Sequence, residues 1–330
     1  MVDDVPDPIP AFGQVLVRTL ACGICGSDLH FVKHGRRLAE LTGEAGLDVE
    51  LDFDRDIFMG HEFSAEVLEV GPDTVALPAG TVVTSMPGMI TLEGPKSLAY
   101  TNDYPAGYGE RMLLSAPLLL EVPNGLDPAV AAMTEPMAVG WHAVNRSGIR
   151  PGSAALVVGC GPVGLAVIAA LRMHGIEPIV AADFSAVRRS LASVMGAHEA
   201  VDPGREPGID AWRRIDGRRP LVVFEAVGVP GILDAVMREV PANGRIVVVG
   251  VCMEPDTVQP AYGILKELSI QFALGYDPGE FSETLRAIAE GRLDVSPLIT
   301  GTVDLDGVPE AFEALAHPDA HAKIVVTPVR

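Results

Sequence analysis

One stretch decides the fold of this chain: residues 154–164, with the sequence AALVVGCGPVG. Five apolar residues that end at a glycine are typical of a short strand buried on both faces. The residues that follow, as far as Met173, favour a helix that ends at Gly175. A glycine-rich turn between a buried strand and a helix predicts a βαβ unit whose helix N-terminus can hold phosphate groups.

The glycines of this turn follow the pattern G-x-G-x-x-G. Gly159 permits the tight turn, Gly161 lets the backbone approach a pyrophosphate, and Gly164 lets the helix pack closely on the strand. The pattern alone is weak, but here it stands between a predicted strand and a predicted helix that Pro162 and Val163 open. We therefore expect all five of these residues to contact a bound dinucleotide.

An acidic residue, Asp183, ends the next apolar run, and it lies roughly 20 residues beyond Gly164, the spacing of a ribose-binding carboxylate. A carboxylate there accepts both hydroxyls of the adenosine ribose and repels a 2′-phosphate, which favours NAD over NADP. Arg188 and Arg189 follow closely and could receive such a phosphate, although arginines on an exposed helix face are commonly only solvated. We predict a cofactor site that includes Asp183 and Arg188, with NAD bound.

Apolar runs alternate with amphipathic segments over residues 154–273, a pattern that predicts a doubly wound parallel sheet of the Rossmann type. The predicted strands are Ala154–Val158, Ile179–Ala182, Glu199–Val201, Leu221–Phe224, Arg245–Val249 and Ser269–Ala273. Ser185 and Gly196 are suited to cap the two ends of one connecting helix. We assign residues 136–274 to this α/β domain.

The residues before 130 have a different pattern. Short strands such as Gln14–Thr19 and Glu62–Val70 are separated by clusters of Pro, Gly and Asp, which indicates a mostly β domain. The charged segment Arg36–Asp56 is predicted to be a surface loop. Near the other end, the apolar run Ile324–Val326 predicts one more strand, after two amphipathic helices that contain Phe281, Leu285 and Ile288 and Val308, Ala311, Phe312 and Leu315.

Charge and composition exclude several classes of protein. The 44 acidic residues outnumber the 24 basic ones, so the formal charge of −20 argues against a nucleic-acid partner or an anionic membrane. No run of apolar residues is long enough to span a bilayer, and the acidic start is unlike a secretory signal. Four cysteines are too few for a disulfide framework in a chain of 330 residues. We expect a cytoplasmic protein.

Four residues before the α/β domain, Cys25, His61, Glu62 and Glu135, are of types that bind zinc. They lie in three motifs, CGICGSD (22–28), GHE (60–62) and EPMA (135–138), and together with the glycine turn these motifs resemble the zinc-containing medium-chain dehydrogenases. The likeness extends over nearly the whole chain. It implies a chaperonin-10-like catalytic domain, residues 1–135 and 275–330, that is interrupted by the Rossmann domain.

The resemblance also implies roles for the motif residues. Cys25 and His61 match zinc ligands, Glu62 matches a nearby carboxylate that binds directly or exchanges, and Glu135 matches a further ligand or a water-mediated partner. Whether Glu62 or Glu135 binds zinc directly is left open. The presence of Glu135 resembles the branch of polyol, threonine and butanediol dehydrogenases.

A proton relay is implied beside the metal. Ser27 matches the hydroxyl that takes the proton of the alcohol, His30 is placed to pass it towards solvent, and Glu62 is counted with them as a catalytic residue. Asp28 matches a residue that orients a ligand. The expected reaction is hydride transfer between a secondary alcohol or polyol and NAD. The expected partner is therefore a small alcohol or ketone, and the protein itself is expected to be a homodimer or homotetramer.

Two departures from the family are visible. Many relatives hold a structural zinc with four closely spaced cysteines, and residues 51–133 contain none, so we expect one catalytic zinc and no structural zinc. The segment Val5-Pro6-Asp7-Pro8 resembles one that relatives reach only after an opening pair of strands. Two alternatives stay open: a zinc-free quinone or enoyl reductase of the same superfamily, and a nucleotide-binding protein without catalytic activity.

Overall fold

The computed structural model describes residues 2–47, 51–317 and 319–328. The chain divides into two compact units. Unit 1 consists of Met1–Glu135, Phe281–Gly291 and Ile299–Arg330, and unit 2 consists of Pro136–Glu280 and Arg292–Leu298.

The strands of the described residues are β1 (Gln14–Gly23), β2 (Phe58–Met59), β3 (Glu62–Val70), β4 (Val82–Ser85), β5 (Gly88–Thr91), β6 (Gly94–Ser97), β7 (Tyr100–Thr101), β8 (Arg111–Ser115), β9 (Leu119–Glu121), β10 (Ala154–Val158), β11 (Ile179–Ala182), β12 (Glu199–Val201), β13 (Leu221–Glu225), β14 (Arg245–Val248), β15 (Ser269–Phe272), β16 (Ile299–Val303) and β17 (Lys323–Val326). The α-helices are α1 (Gly26–Glu44), α2 (Pro128–Ala132), α3 (Thr134–Ser147), α4 (Pro162–Met173), α5 (Ala186–Met195), α6 (Gly208–Ile215), α7 (Ile232–Glu239), α8 (Pro260–Lys266), α9 (Pro278–Ala289) and α10 (Val308–Leu315).

Unit 2 is built on a six-stranded sheet in the order β12-β11-β10-β13-β14-β15, and every neighbouring pair in it is parallel. The predicted doubly wound parallel sheet is confirmed. Parallel strands are covered on both faces, so their side chains form continuous apolar runs, and Val157, Val180 and Ile246 are fully buried. The six predicted strands agree with the observed ones to within a residue at each end, and this burial explains the agreement for the central strands β10, β11, β13 and β14.

Helix α5 shows how local residues set an element's ends. The Ser185 side chain accepts a hydrogen bond from the backbone N–H of Arg188, so it caps the first turn. Gly196 follows the last turn with φ of +117°, a left-handed conformation that glycine adopts without strain. Both predicted caps are confirmed.

Unit 1 contains a seven-stranded sheet in the order β16-β17-β1-β3-β4-β9, with β8 also paired to β1. All of its pairs are antiparallel except β16 with β17. Alternating residues of β1 and β3 fill the core, among them Val15, Val17, Phe63 and Ala65, each at most 1% exposed. The prediction of a mostly β domain is confirmed.

The prediction of a loop at Arg36–Asp56 is wrong for its first part, because α1 continues to Glu44. Phe31 and Gly35 are both buried and lie one helical turn apart, so one face of the helix packs inwards. Charged residues fill the other face and hide the helical pattern in the sequence. Residues 48–50 of the predicted loop lie outside the described residues.

Within residues 51–133, which contain no cysteine, β5 and β6 form a hairpin. Met89 of the hairpin and Leu98 next to it are fully buried in the core of unit 1. All four cysteines of the chain are free thiols. Within residues 2–47, 51–317 and 319–328, no helix has the length and apolar character that a membrane crossing needs.

Candidate active site

Cys25 lies in the short turn between β1 and α1, where it is the N-cap residue of the helix. Its backbone N–H donates to Oδ2 of Asp28 over 3.0 Å, so the first turn of the helix is closed by a carboxylate. The Cys25 side chain is half-buried. The CGICGSD motif therefore forms the end of β1 and the capped N-terminus of α1.

The second motif reaches the same place through strand pairing. β3 begins at Glu62, and its register with β1 sets Glu62 opposite Gly23. Gly60, just before the strand, has φ of +103°, and a Cβ there would lie 2.6 Å from the backbone nitrogen of Tyr108. A glycine is required at this turn, and it brings His61 beside Cys25.

Cys25, His61 and Glu62 each offer one ligand atom, and these atoms lie within 4.8 Å of one another. A thiol, an imidazole and a carboxylate form a donor set that suits zinc. His61 is 7% exposed. Burial alone would lower the pKa of His61, but the hydrogen bond and charge of Cys25, with the charges of Asp28 and Glu135, raise it well above its usual value.

Glu135 is buried at 8% exposure, and the three-residue group within 4.8 Å does not include it. Its charge nevertheless acts on His61 and on Lys323, because it raises the pKa of both. The carboxylate of Glu135 is therefore close enough for its charge to act on this site.

Asp28 is fully buried and lies behind His61. Its Oδ1 lies 3.4 Å from Nδ1 of His61, and its Oδ2 accepts a hydrogen bond of 2.6 Å from the Tyr108 hydroxyl. Burial raises the pKa of Asp28, against the charge of His61 and the hydrogen bond from Tyr108, which lower it. Because Asp28 faces Nδ1, the other ring nitrogen, Nε2, is left to face Ser27.

The Ser27 hydroxyl lies 3.4 Å from Nε2 of His61 and accepts a hydrogen bond of 3.0 Å from the hydroxyl of Tyr100. Ser27 is thus next to the candidate metal ligands. His30 is exposed on α1, and no hydrogen bond joins it to Ser27 among the described residues. Tyr100 did not feature in the sequence prediction, since 73 residues separate it from Ser27.

Lys323 is a second residue that the sequence did not reveal. It is 1% exposed, and its Nζ donates to both carboxylate oxygens of Glu62 at 2.7 Å and to the carbonyl oxygen of Ile24 at 3.0 Å. Burial alone would lower the pKa of Lys323, but the charge of Glu62 raises it above its usual value. A Cβ on Gly23 would lie 2.2 Å from Oε2 of Glu62, so this glycine makes room for the ion pair.

In unit 2 the glycine turn has the predicted form. Gly159 has φ of +91°, and a Cβ there would lie 2.7 Å from Cγ2 of Val227. A Cβ on Gly164 would lie 1.9 Å from the carbonyl oxygen of Gly159, so only glycine lets α4 begin this close to β10. Space around Gly161 is open, with no atom within 4 Å of its Cβ position, and Pro162 and Val163 form the first turn of α4. A pyrophosphate fits a turn with these properties.

Asp183 follows β11 directly, and its carboxylate connects the glycine turn to the residue that caps α5. Oδ2 accepts a hydrogen bond of 2.7 Å from the backbone N–H of Cys160, and Oδ1 accepts one of 2.8 Å from Ser185. Arg189 donates to the carbonyl oxygens of Asp183 and Phe184, so its guanidinium is already engaged. Arg188 is half-buried, and its Nε has no hydrogen-bond partner in the described residues.

Comparisons with known proteins agree with this geometry. Residues 11–124 match the family model of the alcohol dehydrogenase GroES-like domain, and residues 162–290 match that of the zinc-binding dehydrogenases. The chain is 30% identical to (R,R)-butanediol dehydrogenase of Bacillus subtilis, over 99% of this chain and 96% of the relative. It is 27% identical to sorbitol dehydrogenase of the same organism, over 100% of this chain and 94% of the relative.

A solved structure gives the same result for the fold. The crystal structure of 2R,3R-butanediol dehydrogenase from Bacillus subtilis matches with a TM-score of 0.84 and 29% identity, over 100% of this chain and 96% of that one. The arrangement of a β unit with candidate zinc ligands and a parallel α/β unit with a glycine turn defines a medium-chain dehydrogenase. The chain belongs to the zinc-containing alcohol and polyol dehydrogenases of this family.

Proposed function

We propose that this protein oxidises a secondary alcohol or polyol to the ketone with NAD, and catalyses the reverse reduction, with one catalytic zinc per chain. One observation carries the proposal: the Cys25 thiol and the His61 imidazole meet beside the Ser27 hydroxyl, with the carboxylate of Glu62 close by and the charge of Glu135 acting on His61. A zinc-free reductase does not require a set of metal-binding side chains. A nucleotide-binding protein without catalytic activity does not require a hydroxyl beside them.

Each group has a part in the reaction. A bound zinc would supply polarisation of the alcohol oxygen, and NAD would accept the hydride. Cys25 and His61 hold the metal, and Asp28 keeps the His61 ring turned so that Nε2 faces it. Ser27 accepts the proton of the alcohol, and His30 belongs to the proposed route to solvent. Burial of His61 strengthens these interactions because it excludes water.

We assign the third protein ligand to Glu135 rather than Glu62. Both carboxylate oxygens of Glu62 already accept from Lys323, so its charge is balanced within the protein. Glu62 then acts as a second carboxylate that can exchange onto the metal. The three-segment domain assignment, residues 1–135, 136–274 and 275–330, is part of the proposal.

A substrate screen with metal analysis tests the function. Purified protein should contain one tightly bound zinc per chain by mass spectrometry and should reduce NAD with at least one of four substrate classes: 2,3-diols, sugar polyols, secondary aliphatic alcohols and aromatic alcohols. Zinc removal with a chelator should abolish the activity, and added zinc should restore it. Two zincs per chain, or full activity without zinc, would contradict the proposal.

Asp183 is the proposed determinant of NAD preference. Asp183→Gly should raise the use of NADP relative to NAD by at least about tenfold, or about 1.4 kcal/mol of differential binding, since it removes the acceptor for the ribose and the charge that repels a 2′-phosphate. Arg188, whose Nε has no hydrogen-bond partner in the described residues, is the residue proposed to bind that phosphate. The ratio of kcat/KM values for the two cofactors measures the switch.

Two further variants separate charge from structure. Asp183→Asn keeps an acceptor for the Cys160 N–H but removes the charge, so it should shift the ratio in the same direction with less loss of total activity. Asp210→Asn removes an exposed carboxylate from α6 of the same unit and should leave the ratio unchanged. A wild-type protein that prefers NADP would show that Asp183 does not bind the ribose.

We further propose a homodimer, alone or paired into a tetramer, that forms along β15. This strand lies at the edge of the sheet of unit 2, and its open backbone groups can pair with another chain. Apolar side chains surround it: Phe272 is 64% exposed, Leu274 83%, Ile264 78% and Leu265 80%. Light scattering tests this oligomeric state.

We also propose a cytoplasmic location, which the four free thiols of the chain fit.

A further inference from the structure

Tyr100 is an aromatic residue that contacts Ser27 of the candidate site and has no role assigned so far. Its ring stacks on Phe31, with centroids 3.9 Å apart and planes at 4°, and its edge faces the ring of His61 at 6.0 Å. The backbone fixes it as well, because β7 pairs with β2 and sets Tyr100 opposite Met59, two residues before His61. The phenol oxygen therefore has a defined position.

That oxygen lies 3.0 Å from Oγ of Ser27. A ring that only lined a pocket would need no hydroxyl, and phenylalanine would stack on Phe31 equally well. The hydroxyl contact is solvent-exposed, whereas the other neighbour of Ser27, His61, is buried at 7% exposure. Tyr100 thus lies on the side of Ser27 from which a proton can reach water.

We propose that Tyr100 is a positioning residue that holds the Ser27 hydroxyl and carries its proton to water, an inference that rests on the proposed function. During oxidation the alcohol O–H gives its proton to Oγ of Ser27, Ser27 gives its own proton to the phenol oxygen, and Tyr100 releases its proton to water. The three oxygens exchange protons in one direction, so both side chains end neutral, and ketone reduction reverses the steps.

Tyr100→Phe tests the relay, since it keeps the stacked ring and removes only the hydroxyl. The loss of one hydrogen bond should lower kcat about five- to tenfold, with KM for the alcohol changed less than about twofold. The solvent deuterium isotope effect on kcat should rise, because proton transfer then limits turnover. Tyr104→Phe, in the same segment and packed on the core of unit 1, is the matched control and should behave as wild type.

A second measurement does not depend on activity. In protein labelled at the tyrosine ring carbon that bears the hydroxyl, Ser27→Ala should shift the NMR resonance of Tyr100 and leave that of Tyr262, in the other unit, unchanged. The Tyr100→Phe variant assigns the signal among the five tyrosines of the chain.

The outcomes are distinct. An unchanged kcat and isotope effect in Tyr100→Phe, or a change in KM alone, would overturn the relay and leave Tyr100 as a pocket wall, as would an unchanged resonance in Ser27→Ala. A wild-type protein that oxidises no alcohol would instead defeat the proposed function, while the NMR experiment would still report whether the two hydroxyls are in contact.

Discussion

Cys25→Ser should lower turnover by at least about 10³-fold, the rate equivalent of about 4 kcal/mol of transition-state stabilisation that a metal supplies. A neutral serine hydroxyl is a poor replacement for a thiolate ligand of zinc, so the metal content should fall with the activity. Folding should persist, because Cys25 is the N-cap of α1 and serine is among the preferred N-cap residues. Mass spectrometry for zinc and steady-state kinetics measure the two effects.

NAD affinity separates loss of the metal from loss of the fold. The glycine turn and Asp183 belong to unit 2, so Cys25→Ser should bind NAD with nearly wild-type affinity in a fluorescence titration. Cys252→Ser, a half-buried cysteine of unit 2, is the control and should keep both zinc and turnover. If Cys25→Ser kept its zinc and its turnover, the metal assignment would be wrong.

In zinc-free protein, Lys323→Met should lower the free energy of unfolding by about 3–5 kcal/mol, because it leaves the carboxylate of Glu62 buried without a counter-charge. Both side chains of the pair are at most 1% exposed, so water cannot replace the lost partner. Methionine has a similar length and adds no cavity of its own. The free energy of unfolding from a urea titration followed by circular dichroism measures the loss.

Two comparisons isolate the charge effect. Arg37→Met breaks an exposed ion pair with Glu40 on α1 and should cost less than about 1 kcal/mol. Adding Glu62→Gln to Lys323→Met removes the unpaired charge, so the double variant should recover part of the lost stability. Equal losses for Lys323→Met and Arg37→Met would show that the buried pair has no special weight.

The sequence predicts the structure best where a single local pattern, such as an apolar run, determines an element. The central strands of unit 2 are buried on both faces, so Ala154–Val158 and Ile179–Ala182 are visible as apolar runs. The helix through Arg36 was missed because one buried face is carried by few residues, including Gly35, whose missing side chain admits the ring of Phe31. Helical periodicity is weak when a glycine occupies an inward position.

In the candidate site, motifs identified the residues that lie close together in the sequence, and pairing of β1 with β3 united them. Tyr100 and Lys323 could not be found this way. Nothing in the sequence around Lys323 distinguishes a buried lysine from the exposed lysines that are the rule, and only the pairing of β17 with β1 brings it to Glu62. Partners set by long-range strand pairing leave no local pattern.

The position of β17 also has a consequence for biosynthesis. Glu62 leaves the ribosome 261 residues before Lys323, and the strands of unit 2 are made in between. Unit 2 can therefore fold during translation. At that stage β1 still lacks its neighbouring strand β17, and the Glu62 carboxylate lacks the lysine with which it is buried. Assembly of the pocket that contains Cys25 and His61 therefore follows the synthesis of β17, and the proposed metal ion enters a site that is complete only after Lys323 has been made.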